Sequence, residues 1–241
     1  MGERSPLVLR YCYPPSKSLR SYLVSKWIHE KKLILEAALK MLEKGMVAGT
    51  SGNISLRLSP EHGPELLAIT PTSRYYDLLT PDDIPVIDFK ARPIEGKLQP
   101  SSESFLHIDI YRARDDVGAI IHTHSVYASA MAAARLAIPP ILDEQLAILG
   151  GKVDLAKYAP SGTRELARKA VAALKDRNAV LLMNHGLVGV GKDLREAFTV
   201  CEVVEKAAQV FYLCSTMGRV NPLPEIDVRP NRLSSKKTPR D

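Results

Sequence analysis

The chain has 241 residues, 45% hydrophobic and 25% charged, enough apolar material to bury one domain's core without disulfides or a partner. No apolar run approaches the roughly 20 residues of a bilayer span, and the first thirty residues lack a secretory signal's apolar centre, so a cytoplasmic place without membrane attachment is expected. The net charge of +6 sits at the ends: residues 1–32 carry seven Lys/Arg against two Asp/Glu and residues 221–241 five against three, leaving 33–220 at −1, which speaks against nucleic acid as a partner.

From Trp27 the pattern turns helical, with Leu35, Ala38, Leu39, Leu42 and Met46 at helical spacing and Gly45 as a stop. Gly49-Thr50-Ser51-Gly52-Asn53 then makes a turn into a short strand of alternating Ile54, Leu56 and Leu58. A second turn, Thr70-Pro71-Thr72-Ser73, follows the apolar run Leu66 to Ile69. Pro100-Ser101-Ser102 precedes a stretch with Phe105, Leu106 and Ile110 that reads as a serine-capped helix with Glu103 in its first turn.

Val117 to Ile121 is a β-rich run ending in His122-Thr123-His124, and the small residues from Ala128 to Ala134 predict a closely packed helix. Thr163 begins a helix through Leu174, Ala179 to Met183 is a buried strand, and Asn184-His185-Gly186 turns into Leu187 to Val190. Leu194, Ala197, Phe198, Cys201, Val204 and Ala208 outline a long final helix. Beyond Gly218 four prolines predict an extended tail. The boundaries expected are an extension over 1–26, one domain over 27–220 and a basic, Pro-rich tail over 221–241. Several strands are separated only by turns, so the expected fold is α/β with a mixed, mostly antiparallel sheet between helices. Cys12, Cys201 and Cys214 form no CxxC pair and read as reduced thiols.

Residues two apart on a strand point the same way, so His122 and His124 can converge on one ion. A lone H-x-H pair also occurs where histidines merely bond to backbone, and the pair alone leaves metal binding open. His29, His62, His107 and His185 are the remaining histidines, and His185 is the best third ligand because it too sits where a buried strand ends in a turn. Three neutral imidazoles leave an open coordination position, as a catalytic zinc requires. His107, four residues after Glu103, reads as a packing residue or a support behind the ligands. The glycine turns and the start of the Ser101-Ser102 helix offer backbone N–H groups suited to a phosphate dianion.

Gly49-Thr-Ser-Gly-Asn-Ile-Ser, Ile69-Thr-Pro-Thr-Ser, Pro100-Ser-Ser-Glu, His122-Thr-His, Tyr158-Ala-Pro-Ser-Gly-Thr-Arg-Glu-Leu and Asn184-His-Gly-Leu stand in an order that resembles the class II aldolase/adducin family over roughly residues 30–215. The resemblance implies a three-layer α/β/α domain in a homotetramer with active sites between subunits. It implies zinc, or another divalent metal, one per subunit on His122, His124 and His185. Glu103 would be the acid/base and a further contact to the metal, and Tyr158 would reach into a neighbour's site. Gly52, Asn53, Thr72, Ser73, Ser101 and Ser102 would hold the phosphate of a small phosphorylated ketose.

The activity implied is cleavage of a ketose 1-phosphate of the L-fuculose 1-phosphate kind to dihydroxyacetone phosphate and an aldehyde. Within the family a pentulose-5-phosphate 4-epimerase or a methylthioribulose-1-phosphate dehydratase is the alternative, and an adducin-like head is the non-enzymatic one. The chain departs from the pattern at Ser73, where a glycine is usual, and in having no tyrosine after Tyr212.

Overall fold

The computed structural model describes residues 25–58 and 64–224. Most of the extension over 1–26, with Tyr11, Cys12, Tyr13 and Tyr22, lies outside the described residues, as do His62 and the tail beyond 224.

Eight strands form one sheet in the order β4-β3-β2-β1-β5-β8-β7-β6. They are β1 (Asn53–Leu58), β2 (Leu66–Ile69), β3 (Val86–Asp88), β4 (Pro93–Glu95), β5 (Ala119–Thr123), β6 (Asp154–Ala156), β7 (Ala179–Leu182) and β8 (Gly186–Gly191). Every neighbouring pair is antiparallel except β6 with β7, as expected for strands joined by turns. Five helices, α1 (Ile28–Glu43), α2 (Ser104–Ala113), α3 (Val126–Ala133), α4 (Arg164–Leu174) and α5 (Leu194–Thr216), cover the sheet.

Both faces are dry, and the period of two sorts side chains between them. Leu66, Ala68, Ile121, Leu181 and Leu187 pack towards α1, α3 and α5. Leu67, Ile69, Ile120, Val180 and Val188 pack towards α2 and α4. The molecule is therefore a three-layer α/β/α sandwich with a core on each side of the sheet.

Local chemistry sets the helix starts. The Thr163 hydroxyl accepts from the Leu166 N–H at 3.2 Å ahead of α4, and Asp193 accepts from the Glu196 N–H at 2.8 Å ahead of α5. Gly189 lets α5 lie on β8: a Cβ there would sit 2.5 Å from the Cys201 sulfur. Cys201 is accordingly a buried packing residue.

Three expectations are adjusted. Glu103 lies at the N-cap position of α2 rather than inside its first turn, and its side chain caps nothing. The turn before the helix is closed instead by Ser101, whose hydroxyl accepts from the Glu103 N–H and whose carbonyl accepts from the Ser104 N–H and hydroxyl, so Ser101 and Ser102 precede the helix. The final helix runs on past Ala208 to Thr216, and the segment after it is tied down at Leu223, whose N–H donates to the Pro140 carbonyl at 2.7 Å.

Candidate active site

Asn53 on β1 pairs directly with His122 on β5, and alternation turns both side chains to the face covered by α2. His124 is two residues further along, just past the end of β5, and His185 sits in the tight turn between β7 and β8. Chain segments 61 residues apart thus deliver three imidazoles to one end of the central strands. His122 is fully buried, while His124 and His185 are half-buried.

The three Nε2 atoms converge. His122 Nε2 is 3.0 Å from His124 Nε2 and 3.3 Å from His185 Nε2, and one ligand atom from each ring lies within 4.8 Å of the others. The rings stand edge to face, with centroids 4.7 to 4.9 Å apart. His122 Nδ1 donates to the Leu187 carbonyl at 2.9 Å, which leaves a lone pair on Nε2 facing the centre. Burial pushes the pKa of both His122 and His124 down, favouring neutral rings.

Glu103 closes the fourth side. Its Oε2 is 3.3 Å from His122 Nε2 and its Oε1 is 3.6 Å from His185 Nε2. Asn53 Nδ2 donates to Oε2 and the Ser161 hydroxyl to Oε1, each at 2.9 Å. Burial opposes its ionisation, but His122, His185 and the two donors outweigh that and hold the carboxyl below the usual carboxylate range.

Lone pairs of a carboxylate and of buried neutral imidazoles face one another here, an arrangement that is repulsive without a positive charge between them. A tetrahedral zinc with nitrogen ligands at about 2.0–2.1 Å places those nitrogens roughly 3.3 Å apart, close to the separations found. The donor set therefore fits a divalent cation held by His122, His124 and His185, with Glu103 alongside.

Beside this cluster the three turns named from the sequence lie together. The Thr70 N–H donates to the Ile54 carbonyl and the Thr70 hydroxyl accepts from the Ile54 N–H, which places the second turn against the strand that follows Gly52 and Asn53. Thr72 N–H donates to Gln99 O at 3.0 Å and Ser101 N–H to Thr70 O at 3.1 Å, lacing the second turn to the third. Gly52 has φ +73°, a left-handed value that suits glycine, and a Cβ there would lie 2.7 Å from the His122 carbonyl oxygen. Thr72, Ser73 and Ser102 are accessible, whereas the Ser101 hydroxyl and the Asn53 amide are already engaged inside the protein.

Tyr158 is not gathered into the cluster. Its ring is 55% exposed on the loop between β6 and α4, where it is open to another molecule. The same loop carries Ser161, whose bond to Glu103 was not anticipated although the residue stands inside a quoted motif. Tyr76 was missed altogether: it is buried, its hydroxyl donates to Gly52 O at 2.7 Å, and burial raises its pKa to about 12, so it stays a donor. No local pattern marks it, because it arrives from a short 3-10 turn at 76–78.

Residues 32–212 match the family described as Class II Aldolase and Adducin N-terminal domain. The chain is 38% identical over 196 residues, 81% of its length and 90% of the relative's, to the 5-deoxy-D-ribulose 1-phosphate aldolase of Bacillus thuringiensis serovar kurstaki. It is 36% identical over 191 residues, 79% of its length and 85% of the relative's, to the L-fuculose phosphate aldolase of Escherichia coli strain K12. Among solved structures it resembles an L-fuculose 1-phosphate aldolase with a TM-score of 0.78 and 35% identity, covering 85% of this chain and 94% of that one.

Proposed function

Because the chain belongs to the class II aldolase and adducin family, we propose that it is an aldehyde-lyase that splits a phosphorylated ketose between C3 and C4 into dihydroxyacetone phosphate and a small aldehyde. The observation that carries this reading is the meeting of three imidazole Nε2 atoms with one buried carboxylate beside three laced turns. Ketose 1-phosphates of the L-fuculose and 5-deoxy-D-ribulose kind are the substrates to which the named relatives point.

His122, His124 and His185 hold the cation, which we take to be zinc. Bound there, it supplies Lewis-acid stabilisation for negative charge on the ketose oxygens, so no lysine Schiff base is needed. Gly52, Asn53, Thr72, Ser73, Ser101 and Ser102 form the phosphate end, with Thr72, Ser73 and Ser102 offering free groups. In the cleavage direction the C4 hydroxyl loses its proton, C4 becomes the aldehyde carbonyl, and the C3–C4 pair stays on C3, spread towards the C2 oxygen. Tyr158 from a neighbouring subunit relays the proton of the C4 oxygen to solvent as the aldehyde leaves, which fits its exposed ring. Glu103 exchanges the proton at C3 of dihydroxyacetone phosphate, taking one up from solvent before passing it to C3 in cleavage and removing it from C3 in the reverse direction. A homotetramer in the cytoplasm, with sites between subunits, completes the reading.

The test is to incubate zinc-loaded protein with a panel of ketose 1-phosphates and pentulose 5-phosphates and to measure triose phosphate release. Release from a ketose 1-phosphate is expected. Inversion at C4 without release would replace the aldolase reading by an epimerase.

A further inference from the structure

Behind Glu103 lies a row of polar side chains with almost no access to water: Asn53 is 5% exposed and Ser55, His107 and Tyr111 are 0% exposed. Asn53 Oδ1 is 2.5 Å from His107 Nε2, His107 Nδ1 is 2.7 Å from the Ser55 hydroxyl, and that hydroxyl is 2.8 Å from the Tyr111 hydroxyl. Groups with no water to substitute must satisfy one another.

The directions of these bonds follow from the Glu103 end. An ionised carboxylate only accepts, so the Asn53 amide must turn its NH2 to Glu103 and its carbonyl oxygen to His107. A carbonyl oxygen cannot donate, so His107 must carry its proton on Nε2. Burial lowers the pKa of His107 to about 3, the ring is neutral, and its Nδ1 is therefore an acceptor that the Ser55 hydroxyl must fill. The Ser55 oxygen can then only accept from the Tyr111 hydroxyl, which also lies 3.1 Å from the Ser55 carbonyl oxygen. From Glu103 to Ser55 each bond admits one direction, and the row ends on an oxygen of the proposed acid/base.

We infer that His107 is a positioning residue: its Nε2–H tautomer, with Nδ1 filled by the Ser55 hydroxyl, locks the Asn53 amide so that its NH2 faces Glu103. Without the lock the amide can turn over, and its oxygen then faces Glu103 Oε2, acceptor against acceptor. The carboxylate loses a donor and swings from the cluster. α2 supplies three members, Glu103 at its cap with His107 and Tyr111 one and two turns on, so the helix face presents the acid/base and two of its supports together. The consequence for turnover rests on Glu103 being the acid/base, whereas the tautomer does not.

The experiment combines imidazole nitrogen NMR of the zinc-loaded protein with kinetics of His107→Phe, His107→Gln and Ser55→Ala. The spectrum is expected to show His107 protonated at Nε2. His107→Phe fills the space without a donor and is expected to bind zinc with an unchanged fold by circular dichroism, while kcat falls about 10- to 100-fold and KM moves less. His107→Gln places an amide N–H near the former Nε2 and is expected to recover most of that loss. Should His107→Phe fail to fold, Ser55→Ala keeps both His107 and Asn53 and is expected to reduce kcat to a smaller degree. A proton on Nδ1, a wild-type kcat in His107→Phe or Ser55→Ala, or a Gln variant as impaired as the Phe variant would overturn the inference. If the wild-type protein cleaves no sugar phosphate, the proposed reaction fails while the tautomer still decides the positioning.

Discussion

Glu103 is held by four groups of different kinds: an amide donor at 2.9 Å, a hydroxyl donor at 2.9 Å and two imidazoles at 3.3 and 3.6 Å. The amide and hydroxyl donors favour the anion, the form that takes a proton from C3 in the role proposed for it. Glu103→Gln keeps the shape, leaves all three histidines in place and removes the exchangeable charge. The variant is expected to retain its zinc, measured by metal analysis, and to lose roughly 10²- to 10⁴-fold in turnover. Exchange of the C3 proton of dihydroxyacetone phosphate with solvent, followed by NMR, should fall in step. An unimpaired exchange rate would remove Glu103 from its role. The departure at Ser73 also resolves at this scale: the residue adopts φ +52°, the left-handed conformation a glycine would take, at a cost on the order of 1 kcal/mol.

The histidines work together only because the strands that carry them are in register. β8 pairs with β5 so that Leu187 opposes Thr123 and Val188 opposes His122, which sets His185 beside His122 and His124 at the strand end. Gly186 makes that approach possible. A Cβ there would lie 2.3 Å from the Thr123 carbonyl oxygen, 3.0 Å from His124 Cδ2 and 3.3 Å from His122 Cε1. The first contact is with backbone and cannot be relieved by a rotamer. Gly186→Ala is therefore expected to cost about 1–3 kcal/mol in stability and to weaken zinc binding at least about tenfold, as read by competition with a chromophoric chelator. Wild-type affinity in that variant would mean that the ligands tolerate a shift of the strand end.

The same elements separate what sequence could reveal from what it could not. Long periodic segments and the H-x-H pair were legible because alternation is a local property of the chain. β3, β4 and β6 span three residues each, too few to show a period, and are strands only because neighbours pair with them. The π-helical turn Gln145–Leu149 depends on the buried Gln145 side chain, which accepts from the Ile141 and Leu142 N–H groups and donates to Pro139 O. Ser161 and Tyr76 reach the site across 58 and 24 residues of chain, a distance no local pattern spans. His107 was visible as a support, but its partners were not, because Ser55 and Tyr111 look like ordinary strand and helix residues until β1 and α2 are packed together.

At the scale of the whole molecule, the site lies at the ends of the central strands β1, β5 and β8, and an extensive apolar core packs on each face of the sheet. Folding is therefore expected to proceed without the cation, in contrast to small metal domains where binding and folding are one event. A ligand that binds only the folded chain still stabilises it, by about 2.7 kcal/mol when its free concentration is 100 times its Kd. For a chain of this size that corresponds to roughly 5–10 °C in Tm. Exhaustive chelation is thus expected to abolish cleavage, to leave the circular dichroism spectrum unchanged at 25 °C and to lower Tm by that interval, with both activity and Tm restored by zinc. Loss of secondary structure on chelation would make the ion structural rather than catalytic. Full activity in the stripped protein would leave the convergence of His122, His124 and His185 without the chemical purpose assigned to it.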